Sequence, residues 1–442
     1  MGVKRSKALV ASIGLSVLFL TVYGGCNWIT ARRANVGTLY FEWERAIPFV
    51  PFFILPYMSI DLFFVVAPFL CRSDRELSVL AKRIATAIIV AGICFICFPF
   101  RFAFTRPHVD GWVGALFDWF RGMDAPYNLL PSLHAAFTLI LCDIYFRRTR
   151  GFIRLAIMIW FVLIGLSPVL TYQHHLIDIV GGFALAGYCF YAFRERTPSL
   201  PVIANRCIGS YYAAGAAVVL VLVAILWPWG VLLLWPAIAL GIVAVGYFKA
   251  GPIVFHKTEG KLPWSARFVL APYLFGQYLS LLYYRGQCRA WDKVTPEIWI
   301  GAKLDSRAAK KALSSGVVSV LDLSAEFSEA KPFREINYRN IPVLDLTAPT
   351  QAQLVEMSEF IGNHSRNGAV YVHCKIGYSR SAAAVAAHLI MSGKAKTSEK
   401  AFAMIRRVRP SVVTRPEVLS ALSEFEHRVR SSPDGTTLLF SR

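Results

Sequence analysis

Residues 370–382, VYVHCKIGYSRSA, have the types and spacing needed to bind a phosphate group and attack it. The apolar run 369–372 predicts a buried strand, and the Ala-rich run 379–390 predicts a helix, with a tight turn between them. Backbone N–H groups in such a turn, together with the positive end of the helix, favour an anion and lower the pKa of Cys374, which makes it a thiolate nucleophile. Arg380 would hold the phosphoryl oxygens with its planar, two-pronged guanidinium.

The order His-Cys, five residues and then Arg resembles the signature of the cysteine-dependent protein tyrosine phosphatases, and Ser381 with the short domain around it resembles their dual-specificity branch. The resemblance implies that Cys374 takes the phosphoryl group, Arg380 holds it and Ser381 helps the thiolate to leave. In the segment NIPVLDLTAPT it implies that Asp345 protonates the leaving oxygen. The other predicted substrate-binding residues of the loop are His373, Lys375, Ile376, Gly377, Tyr378 and Ser379. A cysteine buried in the core at a strand end is the alternative.

Length and composition separate this chain from soluble two-domain enzymes. It has 442 residues, of which 56% are hydrophobic, a mean hydropathy of +0.49 and a formal net charge of +20. The long apolar runs precede about residue 285, so an integral membrane region should come before a soluble domain. Basic residues form short clusters between these runs, which favours lipid headgroups over nucleic acid as partners. The nine cysteines, an odd number, predict no disulfide framework.

Eight apolar runs are candidate membrane spans because each is long enough to cross a bilayer. They are residues 8–29, 49–70, 84–104, 129–146, 152–172, 176–193, 210–227 and 231–248. The first run follows a basic cluster but no convincing cleavage site follows it, so we interpret it as a span and not as a signal peptide.

Basic clusters occur at every second loop of this arrangement. They are Lys4, Arg5 and Lys7; Arg72, Arg75, Lys82 and Arg83; Arg147, Arg148 and Arg150; and Arg194, Arg196 and Arg206. The positive-inside rule makes these loops cytoplasmic, whereas loops 30–48 and 105–128 and the turn 227–230 would face the exterior. An even number of spans returns the chain to the cytoplasm, where the Cys374 thiolate stays reduced. The sequence therefore predicts a multi-pass protein of a bacterial inner membrane, with its N-terminus and its phosphatase domain cytoplasmic.

Three polar patches of the membrane half lie at the same outer face by this span count. They are Arg106-Pro107, residues 131–134 (PSLH) and residues 173–178 (QHHLID). His174 and Asp178 are four apart at a helix start and so share a face, where the carboxylate can stabilise the imidazole. With His174 as the nucleophile and His134 as the acid, the patches predict a second phosphoryl-transfer site. Alternatively, these histidines satisfy hydrogen bonds inside a structural helix bundle.

The patches resemble the motifs of the type 2 phosphatidic acid phosphatase superfamily, over roughly residues 101–178 by motif and over the first six spans by layout. The resemblance implies that Arg101 and Arg106 bind substrate. The chain departs from the family at Pro99, where a lysine is usual, after Ser167, where an arginine is usual, and in PSLH, where PSGH is commoner. These departures are similar to those of sphingolipid headgroup transferases such as inositol phosphorylceramide synthase, so hydrolysis and transfer both stay open.

A connector, residues 251–290, joins the membrane half to the soluble half. It contains three basic residues and then an apolar, aromatic run: Lys257, Lys261, Arg267 and residues 268–284. The run could be a ninth span, but it contains proline and glutamine, and a crossing would put Cys374 in an oxidising compartment. We interpret it as an interfacial helix whose basic neighbours attract anionic lipid. A core helix of the soluble domain is the alternative.

Strand-like and helix-like segments alternate from about residue 291 to residue 430, which predicts an α/β sandwich. The predicted strands are 298–301, 317–323, 340–344 and 369–373, and the predicted helices are 306–313, 350–363, 380–391, 398–408 and 415–429. The fold is therefore predicted to be multi-domain. It comprises an all-α polytopic membrane domain with a six-helix core (1–208), two further membrane helices (209–250), the connector, an α/β cysteine-phosphatase domain (291–430) and a tail (431–442).

The sequence thus predicts a membrane-bound phosphatase with a cytoplasmic cysteine-dependent site and an outer His/Asp site, acting on phospholipid phosphates or phosphoproteins. Neither reaction requires a cofactor or a metal ion. Dual-specificity relatives that act on phosphoinositides or phosphatidylglycerophosphate often carry a lysine where this chain has Lys375, so the resemblance favours an anionic lipid. Alternatively, Lys375 is a solvated lysine and the protein is a membrane-tethered protein Tyr/Ser/Thr phosphatase. A further alternative is a phospho-ligand binding module with a degenerate membrane site.

Overall fold

A computed structural model describes residues 3–123, 125–195, 203–227 and 229–431. Arg196, Pro228 of the predicted outer turn and the predicted tail from residue 432 lie outside the described residues. The chain forms two compact units, residues 1–196 and 197–442. The first unit is built from helices, and the second combines apolar helices, the connector and an α/β domain.

The described part of the first unit contains seven α-helices. They are α1 (Arg5–Thr30), α2 (Ile54–Val66), α3 (Asp74–Cys97), α4 (Gly111–Met123), α5 (Leu133–Arg148), α6 (Gly151–Leu170) and α7 (Leu176–Ala192). Two helix starts carry the polar patches. Ser132 caps α5 by accepting the N–H of Ala135 at 3.3 Å, and Asp178 folds back to accept the N–H of His175 at 2.8 Å at the start of α7.

Six helices of the described chain are long and apolar enough to cross a membrane. They are Arg5–Thr30, Pro51–Leu70, Asp74–Cys97, Gly151–Leu170, Arg206–Ile225 and Trp229–Phe255. The remaining two predicted spans are the shorter helices α5 and α7, of 16 and 17 residues. Helix α3 begins ten residues before the predicted span 84–104, because Ser73 caps it, and it ends at Cys97, two residues before Pro99.

The second unit begins with a pair of apolar helices, α8 (Arg206–Ile225) and α9 (Leu234–Val245). The side chain of Asn205 caps α8 by accepting the N–H of Ile208 at 3.2 Å. A π-helical turn, Gly246–Ala250, continues α9. The two helices approach closely at Gly209, where an added Cβ would meet the ring of Phe248 at 2.9 Å.

The connector forms two short helices, α10 (Trp264–Val269) and α11 (Ala271–Arg285). At 15 residues, α11 is about 22 Å long, shorter than the roughly 30 Å of a hydrocarbon core. The ninth span is therefore not supported. The expected attraction of Lys257 to lipid is wrong, because its ammonium is buried and lies 2.5 Å from the Asp322 carboxylate.

The α/β domain contains one five-stranded sheet in the order β1-β2-β5-β3-β4. Its strands are β1 (Trp291–Thr295), β2 (Ile298–Gly301), β3 (Val317–Ser324), β4 (Asn337–Val343) and β5 (Ala369–His373). Its helices are α12 (Ser306–Ser314), α13 (Lys331–Arg334), α14 (Gln351–His364), α15 (Arg380–Met391), α16 (Ser398–Val408) and α17 (Pro416–Ser431). The sequence missed β1, which pairs antiparallel with β2, and the single turn α13. Strand β5 lies between two parallel neighbours, so the loop after it leaves the centre of the sheet.

Candidate functional site

The predicted phosphate-binding loop is the turn between β5 and α15. Gly377 has a φ of +82°, and an added Cβ there would meet the carbonyl oxygen of Gly301 at 2.5 Å, so only glycine fits. The buried Arg409 contacts the loop backbone. Its guanidinium donates to the carbonyl oxygens of Ile376 at 2.7 Å and Gly377 at 3.0 Å. Asp292 holds this guanidinium at 2.7 Å. These bonds fix the carbonyls at the back of the loop.

Cys374 is buried within this loop, and hydrogen-bond donors surround its sulfur. Sγ accepts the N–H of Gly377 at 3.3 Å and lies 3.5 Å from the Ser381 hydroxyl. Burial alone would raise the pKa of the Cys374 thiol. The positive charge of Arg380, the Ser381 hydroxyl and the surrounding N–H groups outweigh burial and lower the pKa. A lowered pKa is what a thiolate nucleophile requires.

Arg380 is held by a carboxylate that the sequence did not reveal. Its two terminal nitrogens donate to the two carboxylate oxygens of Glu326 at 3.0 and 2.7 Å, and one also donates to the carbonyl of Val343 at 2.9 Å. Burial would raise the pKa of Glu326, but the guanidinium lowers it, so the pair is ionic. The buried Nε of Arg380 has no hydrogen-bond partner among the described residues. This donor is available to a phosphoryl oxygen.

Asp345 follows β4 and lies beside the loop. One carboxylate oxygen is 3.3 Å from the guanidinium of Arg380, and the other is 3.9 Å from the ammonium of Lys375. Its side chain is 30% exposed, and it lines the same pocket as Cys374. The structure therefore brings the predicted acid next to the predicted nucleophile.

Lys375 is not a solvated lysine at the pocket edge. It is 7% exposed, and its ammonium donates to the side-chain oxygen of Gln277 on α11 at 2.8 Å. Burial lowers the pKa of Lys375. Arg415, which was expected only to begin a helix, lines the pocket as a further cation. The pocket thus holds more positive charge than the phosphate-binding loop alone supplies.

His373 differs from the prediction because its ring points into the interior and is not part of the described pocket lining. Nε2 lies 2.8 Å from the Glu329 carboxylate and 3.9 Å from that of Asp322. Burial would lower the pKa of His373, but these carboxylates raise it. Ligand atoms of these three residues lie within 4.8 Å of one another. Because the ammonium of Lys257 already balances Asp322, this cluster is a buried charge network that supports the strand end.

The wall of the pocket comes from outside the α/β domain. The pocket, of about 380 Å³, is lined by the loop residues and also by Tyr212 of α8, Tyr247 of the π-helical turn and three residues of α11. The three are Gln277, Ser280 and Tyr284. Their spacing puts them on one face of α11, whereas Phe275, Leu279 and Leu282 are exposed elsewhere on the helix.

In the first unit, His134 and His174 line one cavity of about 340 Å³. Neither Arg101 nor Arg106 belongs to its described lining; Arg106 instead donates to the carbonyl of Tyr172 at 2.9 Å. The expected pairing of His174 with Asp178 is loose, because Nδ1 lies 3.5 Å from the carboxylate without a hydrogen bond among the described residues.

His134 and a neighbouring histidine have partners of their own. Nε2 of His134 lies 3.1 Å from the carbonyl oxygen of Ile164, and the ring stacks on Tyr57 at 4.4 Å. His175, which the sequence did not single out, lies 3.1 Å from the buried carboxylate of Glu44. No periodic pattern indicates this pair, since 131 residues separate the two.

Two family profiles match the chain. The catalytic domain of the dual specificity phosphatases matches residues 298–428, and the PAP2 superfamily matches residues 52–192. The chain therefore belongs to the dual specificity phosphatases, with a PAP2-superfamily domain ahead of the catalytic domain. The predicted fusion and the predicted fold class are confirmed, and the protein is a phosphoric monoester hydrolase.

Individual relatives match between a third and two fifths of the chain. Human "Phosphatidylglycerophosphatase and protein-tyrosine phosphatase 1" is 30% identical over 191 residues, which are 38% of this chain and 94% of the relative. "Phosphatidylglycerophosphate phosphatase PTPMT2" of Arabidopsis thaliana is 29% identical over 175 residues, 37% of this chain and 76% of the relative. The crystal structure of PTPMT1 aligns with this chain at 25% sequence identity and a TM-score of 0.30. The alignment covers 33% of this chain and 99% of the PTPMT1 chain.

Proposed function

We propose that this protein is a membrane-bound phosphatase that removes the phosphomonoester group of an anionic phospholipid at the bilayer surface. The observation that carries the proposal is the pocket itself, in which a buried, acidified thiol and a fixed guanidinium are walled by residues of apolar helices and of α11. A lipid headgroup is presented at such a wall at high effective concentration. The names of the curated relatives, which act on phosphatidylglycerophosphate, support the same substrate class.

The residues divide the reaction into two steps. The Cys374 thiolate attacks phosphorus, a P–S bond forms, the P–O bond to the lipid breaks, and Asp345 gives its proton to the leaving oxygen. Water then attacks the phosphocysteine, inorganic phosphate leaves, and the Ser381 hydroxyl stabilises the departing thiolate. Arg380 binds an equatorial oxygen through Nε, while Glu326 keeps the guanidinium plane in position. The loop amides at Ile376, Gly377, Tyr378 and Ser379 supply the remaining donors.

Lys375 and Arg415 give the pocket its selectivity for lipids in this proposal. Phosphatidylglycerophosphate carries a phosphodiester beside its phosphomonoester, and a buried ammonium can bind this second anionic group. A phosphotyrosine side chain has no second anionic group for the ammonium to bind. Gln277 holds Lys375 toward the pocket at 2.8 Å.

The test uses purified full-length protein and measures phosphate release from three substrates. They are phosphatidylglycerophosphate in anionic vesicles, a phosphotyrosine peptide and 4-nitrophenyl phosphate. We expect the vesicle lipid to be preferred over the peptide. Cys374→Ser should abolish hydrolysis of the peptide and of 4-nitrophenyl phosphate, and it should remove the lipid hydrolysis that depends on the cysteine. Comparable turnover of peptide and vesicle lipid would contradict the lipid assignment and favour a membrane-tethered protein phosphatase. Binding of substrate without turnover would favour a phospho-ligand binding module.

We infer a second phosphoryl-transfer site in the first unit, with His174 as nucleophile, Asp178 as its orienting carboxylate and His134 as acid. The shared cavity of the two histidines supports it. Arg101 and Arg106 would bind phosphate only after moving toward that cavity. The test adds His174→Ala to a protein that already carries Cys374→Ser. If the added substitution leaves the remaining lipid phosphate release and headgroup transfer unchanged, this inference is contradicted.

The membrane arrangement is proposed from the alternation of basic loops. The phosphatase domain and the N-terminus would lie in the cytoplasm, at the inner membrane of a bacterium. Reporter fusions after Arg206 and after Ser431 should both read cytoplasm, and a fusion near Asp118 should read exterior. An exterior reading after Ser431 would contradict the arrangement.

A further inference from the structure

The backbone that carries Asp345 is held in an unfavourable conformation. Leu346, the next residue, has a φ of +59°. A residue with a Cβ rarely adopts this left-handed conformation, and it persists only where surrounding contacts impose it. Within the loop, Thr347 donates its hydroxyl to the carbonyl of Leu344 at 2.9 Å. The two peptide carbonyl groups that flank the Leu346 Cα atom, those of Asp345 and of Leu346 itself, accept hydrogen bonds from outside the loop.

Those two hydrogen bonds come from the apolar helix pair. The Tyr247 hydroxyl donates to the carbonyl oxygen of Asp345 at 2.9 Å, and the Asn205 side-chain amide donates to that of Leu346 at 2.8 Å. The two donors are joined to each other, because the N–H of Asn205 donates to the carbonyl of Tyr247 at 3.0 Å. Together these three bonds form a bracket around the strained residue.

The bracket is rigid on its helix side. Tyr247 is 1% exposed, and its ring stacks on that of Tyr212 at 5.4 Å. It lies on the π-helical turn Gly246–Ala250, and such turns are frequent where a helix presents a functional side chain. Asn205 uses its side-chain oxygen to cap α8, so its amide can point only one way. Both residues lie between the two profile matches, because the PAP2 match ends at residue 192 and the dual specificity phosphatase match begins at residue 298.

We propose that Tyr247 and Asn205 are positioning residues for the general acid, so that the apolar helix pair is a working part of the phosphatase site. The inference rests on the proposed role of Asp345. The bracket holds the Asp345 backbone while Arg380 and Lys375 attract its carboxylate, at 3.3 and 3.9 Å. Without the bracket, Leu346 relaxes to a commoner conformation and the carboxyl group leaves the position from which it protonates the leaving oxygen. Attack by Cys374 does not depend on the bracket.

This division of labour gives a leaving-group signature. Nitrophenolate departs without a proton, whereas phenolate and alkoxides need one in the transition state. We expect Tyr247→Phe in the full-length protein to lower kcat/KM for phenyl phosphate about tenfold, the effect of one lost hydrogen bond. For 4-nitrophenyl phosphate we expect less than a twofold change. Asn205→Ser keeps an acceptor to cap α8 but cannot reach Leu346, so it should have the same effects on the two aryl phosphates as Tyr247→Phe.

A matched control is Tyr145→Phe in the first unit. It removes a hydroxyl that likewise donates to a backbone carbonyl, that of Phe63, at 3.0 Å, and it should leave both aryl phosphate activities unchanged. The rate of Cys374 alkylation by iodoacetamide reports the integrity of the loop. It should be the same in Tyr247→Phe as in the unmodified sequence.

The combined variant Tyr247→Phe with Asp345→Asn decides the route of action. If the hydroxyl acts through the carboxyl group, the combined variant is no slower on phenyl phosphate than Asp345→Asn alone. Equal losses on both aryl phosphates, or additive losses in the combined variant, would overturn the proposal. If Asp345→Asn itself slows both substrates equally, the assignment of the acid fails and this inference fails with it. Intact Cys374 dependence would then show that the proposed phosphatase chemistry still stands.

Discussion

The two candidate sites differ in how the chain assembles them. In the phosphatase domain, a single loop between β5 and α15 supplies the thiol, the arginine and the hydroxyl, and parallel strands on both sides fix where that loop begins. In the first unit, the predicted groups come from separate helices and loops, and several have other partners. His134 lies against the carbonyl of Ile164, and Arg106 donates to that of Tyr172. A site encoded in one loop is fixed by local geometry, whereas a dispersed site depends on packing that one sequence does not reveal.

The largest expected effect follows from removing the nucleophile of the loop. Cys374→Ser should lower hydrolysis of 4-nitrophenyl phosphate by on the order of 10⁴-fold or more, because an alcohol is not ionised at neutral pH. His174→Ala should leave this activity unchanged, since the two sites are predicted to act independently. Steady-state release of nitrophenol measures both. A substantial loss in His174→Ala would break the comparison by showing that the sites are coupled.

The second effect concerns the way the guanidinium is held. Arg380→Lys keeps the charge but loses the planar fork, so we expect kcat/KM to fall by about 10²-fold to 10³-fold. Glu326→Gln should cause a smaller loss, because one of two charge-assisted contacts at 2.7 and 3.0 Å is weakened. Kinetics on 4-nitrophenyl phosphate measure the order. A larger loss in Glu326→Gln than in Arg380→Lys would mean that the carboxylate acts on substrate directly.

The third effect is a shift in pH dependence. The pKa of Cys374 is lowered, so reaction with iodoacetamide should persist below the pH at which an ordinary thiol ionises, and it should fall as the thiolate becomes protonated. Ser381→Ala removes a hydroxyl 3.5 Å from the sulfur, so the midpoint should move to higher pH. Ser392→Ala, at the other end of α15, removes a hydroxyl bonded to the His388 carbonyl and serves as the control. An unmoved midpoint in Ser381→Ala would assign the shift to Arg380 and the amides.

The smallest effect is one of substrate preference. Lys375→Ala should reduce the ratio of vesicle-lipid to aryl phosphate turnover about fivefold, since it removes one buried cation from the pocket. The exposed Lys394 provides the control, because Lys394→Ala changes the net charge equally without touching the pocket. Phosphate release from both substrates measures the ratio. Equal ratios in the two variants would mean that Lys375 serves only to hold Gln277.

Local pattern was sufficient where residues that are close in sequence form one element. The limits of β5 and α15 were predicted to within one residue, because an apolar strand, a glycine turn and an alanine-rich helix follow one another directly. The carboxylate of Glu326 was missed, since it meets Arg380 across 54 residues with no motif of its own. Arg409 was missed for the same reason, being 117 residues from Asp292. His373 was predicted to bind substrate, but its ring lies against Glu329 and outside the described pocket lining, because the pattern alone does not say toward which layer a side chain points.

The amino-acid sequence by itself determined the two domain types, the apolar helices and the thiol with its arginine, because each depends on composition or on short spacing. Only the tertiary structure decided what surrounds them. It put Lys375 against Gln277 and Lys257 against Asp322, both inside the protein where surface roles were expected. It also brought Tyr247 and Asn205 to the backbone of the acid loop. Such contacts join residues that are 65 to 141 positions apart, and their geometry follows from how whole helices pack against a sheet, which no local pattern records.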